Sequence, residues 1–75
     1  MYINYRASAE LFRRGQLVDL HGLKPPHTFA ALVEYLMKEK RAVDRRAYLI
    51  VSDGQPYNAA VIKNIYHRPD FPHAR

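Results

Sequence analysis

Five apolar residues, Phe29, Leu32, Val33, Leu36 and Met37, recur at i, i+3, i+4, i+7 and i+8. That spacing puts them on one side of a helix, and a helix with one apolar side must bury it against other elements. Thr28 or His27 is placed to begin this helix, and Glu34 and Lys38 form an i,i+4 pair on its exposed side. Residues 47–51, Ala-Tyr-Leu-Ile-Val, are a near-continuous apolar run bounded by turn residues, which is how a buried inner strand reads. The core must be built largely from these two segments, because a chain of 75 residues encloses only a small one.

The remaining segments arrange themselves around that pair. Residues 2–5 suit a short edge strand. Ser8 as an N-cap, Glu10 in a first turn, apolar Ala9, Leu11 and Phe12, and Gly15 as a stop predict about two turns of helix. Residues 16–20 read as a strand halted by Gly22, and Lys24-Pro25-Pro26 as a connector. Residues 42–46 read as a polar connection and residues 52–56 as a loop of small and polar residues. Residues 58–66 read as a second helix with Ala60, Val61, Ile62 and Ile65 inward. Arg68-Pro69 ends it, and the proline-containing remainder reads as an extended surface tail.

Strand, helix, strand, helix is the pattern of a βαβ crossover, which sets two parallel strands side by side. The expected fold is therefore α/β: one small two-layer βαβα domain over residues 16–66 with a mostly parallel short sheet. An N-terminal strand and helix arm over residues 1–15 precedes it, and a tail over residues 67–75 follows. In such sheets ligands gather where the strands end. Asp19, His21 and Gly22 are expected there beside Ser52, Asp53 and Gly54, with a helix N-terminus close by to receive an anion.

Within that expected niche, Asp19 and His21 point to one side of a strand because they are two residues apart. Asp19 and Asp53 are candidate carboxylates for Mg²⁺, which takes one or two such ligands plus waters. His21 is a candidate general acid or base. Asp53 before Gly54 is equally good turn chemistry, and Lys24, a candidate phosphate contact, equally reads as a solvated loop lysine.

The stretch Val18-Asp19-Leu20-His21-Gly22-Leu23 resembles the opening motif of the Smr (small MutS-related) domain: an aliphatic residue, Asp-x-His-Gly, then an apolar residue. The resemblance covers roughly residues 16–66. The family's second motif, His-Gly-x-Gly, corresponds to Ser52-Asp53-Gly54-Gln55, where the glycine aligns and the histidine is absent. The family usually adds two strands after the second helix, and here a short proline-containing tail follows instead. Smr domains are similar in fold to the C-terminal domain of translation initiation factor three. The resemblance implies nucleic-acid binding and, in several members, endonuclease cleavage. It implies catalytic or metal-contacting roles for Asp19 and His21, and a contact loop formed by Ser52, Asp53 and Gly54.

Charge points to the same class of partner. Twelve Lys and Arg against seven Asp and Glu leave a formal +5, which favours anionic partners, nucleic acid first. Arg13-Arg14 is one basic cluster; Lys38, Lys40, Arg41, Arg45 and Arg46 are another, half explained as cations at a helix C-terminus. Tyr57, following the glycine loop, is the best of six tyrosines for stacking on an unpaired base. The others suit a core margin or a dimer interface.

These features support a small basic RNA- or DNA-binding protein, Smr-like, with room for weak metal-dependent endonuclease activity. The alternative is a non-catalytic module that binds and modulates a host or partner protein. A small-molecule enzyme is the weakest reading, since so short a chain encloses no typical pocket alone. A homodimer is a natural way to complete so small a core. No cysteine is present, which excludes disulfides and thiolate zinc sites. No apolar run reaches the roughly 20 residues of a membrane span and no signal-peptide core is present, so a cytoplasmic protein is expected.

Overall fold

The computed structural model describes residues 3–72. Strand β1, Ala9–Arg13, stands where a helix is expected. It turns back through Arg14-Gly15 into a two-residue strand, β2, Gln16–Leu17. Helix α1, Phe29–Glu39, and a single helical turn, α2, Ala42–Arg45, come next. Strand β3, Tyr48–Ser52, turns through Asp53-Gly54 into β4, Gln55–Tyr57. Helix α3, Ala59–Tyr66, completes the order.

The four strands form one sheet in the order β2-β1-β3-β4, and every neighbouring pair is antiparallel. This corrects the expected βαβα fold with a mostly parallel sheet. The reason is β1. Ser8, Glu10 and Gly15 look like helix punctuation, but the segment pairs along its whole length with β3, from Ala9↔Ser52 to Arg13↔Tyr48. The strands on either side of α1 do run in the same direction, since both are antiparallel to β1, yet β1 lies between them.

Two tight turns set this topology. Arg14 and Gly15 have φ of 53° and 83°, and Asp53 and Gly54 have 52° and 75°. Consecutive positive φ values make two-residue hairpin turns whose twist matches that of the strands, and Asp-Gly is among the sequences that favour them.

Alternation along the strands sorts the side chains. Leu11 and Ile50, paired across β1 and β3, point to the helices and are fully buried with Phe29, Leu32, Val33, Leu36 and Ile62. Thr28 caps α1 by accepting from the Ala31 N–H, and Asn58 caps α3 by accepting from the Val61 N–H. On α3 the inward residues are Ile62 and Ile65, while Ala60 and Val61 are exposed.

Beyond α3 the chain does more than expected of a surface tail. Phe71 is buried in the core, with its ring edge-on to Tyr5 at 5.5 Å and tilted on Tyr66 at 5.2 Å. The Tyr5 hydroxyl donates to the Asp70 carboxylate, which Arg68 holds through two hydrogen bonds. Of the strand expected over residues 2–5, residue 2 lies outside the described residues and the rest is not strand. No helix among the described residues is long and apolar enough to cross a membrane.

Candidate nucleic-acid interface

The hairpin turn Arg14-Gly15 closes against the entry to β3, where the Arg14 N–H donates to the Ala47 carbonyl at 2.9 Å. This contact joins the two basic clusters. Arg13 and Arg14 meet the stretch that runs from the end of α1 through α2 to Arg46. All lie at one end of the sheet.

At that end Arg13 and Tyr48 are cross-strand partners on the helix side of the sheet. The Arg13 guanidinium stands 6.0 Å from the centre of the Tyr48 ring. Lys40, just past the end of α1, reaches from the other direction, its Nζ 5.9 Å from the Tyr48 ring centre and 5.8 Å from that of Tyr35. The row is thus Arg13, Tyr48, Lys40, Tyr35. Cations near aromatic faces are held by the ring quadrupole, which fixes long side chains that otherwise wander. The Tyr35 phenol and then the Tyr48 phenol push the Lys40 ammonium above its ordinary 10.5, so it is charged throughout the neutral range.

Arg45 supports this row from beneath by donating to the Lys40 carbonyl at 2.6 Å, which satisfies a backbone oxygen left over at the helix end. Arg41 is paired with Asp44 at 3.5 Å, and Lys38 with Glu34 at 3.8 Å. Arg13, Arg14, Lys40 and Arg46 pair with no carboxylate among the described residues. Arg13 and Lys40 beside two half-buried phenols, with Arg14 and Arg46 on the adjoining chain, form a basic end equipped to hold phosphates.

Four of the expected binding residues, Lys38, Arg41, Arg45 and Arg46, lie at or beside this end. The others do not. Asp53 and Gly54 form the β3–β4 turn at the opposite end of the sheet. Ser52 is buried there, its hydroxyl donating to the Ser8 carbonyl at 3.2 Å. The Tyr57 ring packs on Phe29 with centroids 4.6 Å apart. Lys24 is exposed in the connector between β2 and α1.

Asp19 and His21 are exposed and follow β2 in non-strand chain. The Asp19 segment and Asp53 reach the same end of the sheet but flank β1 from opposite sides, two strand spacings or about 10 Å apart. Among the described residues no three His, Asp or Glu side chains form a group that could hold a metal ion. Asp19 instead lines an open cleft of about 470 Å³ with Glu10, Leu17, Leu20 and His27. The His27 Nε2 lies 2.9 Å from the Leu23 carbonyl, which can only accept, so that nitrogen carries the proton.

Reading the sequence named Arg13 and Lys40 only as members of the two basic clusters, and assigned Tyr35 and Tyr48 to a core margin or dimer interface. The signal for Tyr35 and Lys40 is local, a ring and a cation five apart across a helix end. The signal for Arg13 and Tyr48 is the β1–β3 register, which depends on recognising β1 as a strand. No family model, curated protein or solved structure matches this chain.

Proposed function

We propose that this protein binds nucleic acid, RNA or DNA, through the basic end of its sheet. The observation that carries the reading is the row Arg13, Tyr48, Lys40, Tyr35, flanked by Arg14 and Arg46 and facing no carboxylate partner. Phosphates supply the affinity in such a site, and the tyrosines favour strands whose bases are unpaired. The likeness to Smr domains rests chiefly on the motif over Val18 to Leu23, and the reading rests on the cations and not on Asp19 and His21.

Labelled single strands and duplexes titrated at two salt concentrations test it. With about four phosphates neutralised, a fourfold rise in salt weakens binding by about fiftyfold for a single strand and about 150-fold for a duplex. The double change Arg13→Ala and Lys40→Ala abolishes most of the low-salt affinity. Asp19→Asn with His21→Ala leaves it unchanged. Absence of binding at low salt refutes the proposal, and so does an affinity that ignores the first pair of changes and follows the second.

A further inference from the structure

The sheet has a second face, and among the described residues no helix lies on it. Phe12, Leu17, Leu49, Val51 and Pro56 alternate with the buried residues of their strands and so point away from α1 and α3. Phe12, Leu49 and Val51 are half-buried, Leu17 is 63% exposed, and none of the four packs against the core. Phe12 is opposite both Leu17 and Leu49, and Val51 opposite Pro56, so the residues form one continuous apolar patch.

Charge around this patch is polarised along the strands. Glu10 is on the open face, opposite Val51. Asp19 continues the parity of Leu17, and Asp53 occupies the turn at the same end. None of these three carboxylates has an ion-pair or side-chain hydrogen-bond partner among the described residues. At the other end stand Arg14 and Arg46, also without carboxylate partners.

We infer that the open face is the interface of a homodimer in which the two sheets pack face to face with their strands reversed. A two-fold axis lying between the sheets and across the strands sets the Glu10 end of each copy over the Arg14 end of its mate. The alternative two-fold axis, along the strands, stacks acid on acid and arginine on arginine. Each copy carries +5, so association needs the complementary arrangement to offset general repulsion.

The area fits a weak, reversible dimer. The fifteen strand residues, at about 3.3 Å rise and about 4.8 Å spacing, span a flat footprint of roughly 240 Å². With side-chain relief about doubling this, two copies bury roughly 1,000 Å², the size of a weak specific interface. Arg13 and Lys40 stand on the helix side of each sheet and stay outside the interface, so each copy keeps its cation row while its Arg14 turns to the mate's carboxylates.

Sedimentation equilibrium of the full chain from micromolar to millimolar concentration, at fixed salt, tests the inference. The wild type shows a reversible monomer–dimer equilibrium. Leu49→Lys, on the open side and away from the core, weakens dimerisation about thirtyfold or more while leaving the thermal transition of the monomer in place. Glu10→Arg and Arg14→Glu each weaken it, and the double variant recovers it, because the reversed packing restores each pair across the interface. A wild type that stays monomeric throughout overturns the proposal, as does a dimer indifferent to Leu49→Lys. Failure of the double variant to recover overturns the reversed arrangement.

Discussion

Phe71→Ala removes the ring that ties the end of the described chain to its beginning. Phe71 is 4% exposed and touches rings from both directions, Tyr5 before β1 and Tyr66 at the end of α3. Deleting a buried phenylalanine side chain costs about 3–5 kcal/mol, the lower part applying where neighbours can collapse into the space. Phe71 lies beyond the last helix in chain that is neither helix nor strand, so partial collapse is open to it and about 3 kcal/mol is expected. A 75-residue domain has about 4–11 kcal/mol in all, so this is a large share. Each kcal/mol moves the midpoint of a domain this size by about 4–8 °C, giving a fall of about 12–24 °C. Circular dichroism followed through a thermal melt reads it. Val61→Ala is the control: Val61 is 40% exposed on α3, and a surface change of this kind stays within about 0.5 kcal/mol. A Phe71→Ala midpoint within about 4 °C of the wild type refutes the packing argument.

Two further outcomes follow from the structure. Gly54→Ala places a side chain at φ of 75° and costs about 1–2 kcal/mol, although the space around it is open; Gly22→Ala, with no such backbone demand and equally open space, is neutral or slightly stabilising, and urea midpoints of the two variants separate these cases. Asp70 is held below its ordinary 3.8 first by hydrogen bonds from Arg68, so its contribution to stability is full above that value and is lost as pH falls through the lower folded one. Asp70→Asn accordingly melts below wild type at neutral pH, and the gap closes in strong acid; a gap that persists there assigns the effect to packing instead.

Part of this architecture was legible in the residues and part was not. The period of Phe29 to Met37 marked α1 and its inward side, and residues 58–66 gave α3 within a residue, because helix signals are local. The apolar run ending at Val51 gave β3 within a residue. β1 was misread because Ser8, Glu10 and Gly15 satisfy helix punctuation while Leu11-Phe12 is adjacent and not alternating. Both residues are apolar for separate reasons: Leu11 faces the core and Phe12 the open side. A strand with two apolar faces has no period to detect. The Asp53-Gly54 turn carried a hairpin signal, but its partner strand is three residues long and contains Pro56. Phe71 looked superficial because flanking prolines mark chain that cannot form regular structure, which says nothing of whether a single ring is buried. The parallel topology failed with β1, which lies between the strands that lead to Asp19 and Asp53.

The basic end shows why the site depended on the same register. Strand alternation that turns Leu11 and Ile50 inward also turns Arg13 and Tyr48 to the helix side, where the end of α1 brings Lys40. A slip of one residue between β1 and β3 exchanges the two faces, burying Phe12 and exposing Leu11. It also turns Arg13 away from the Tyr48 ring. The core and the cation row are therefore two readings of one pairing. The two-residue turns at Arg14-Gly15 and Asp53-Gly54 hold the outer strands to that pairing, and by ending the sheet so tightly they leave arginines at one end and carboxylates at the other. Polarity of charge in this domain is a consequence of where its hairpins turn.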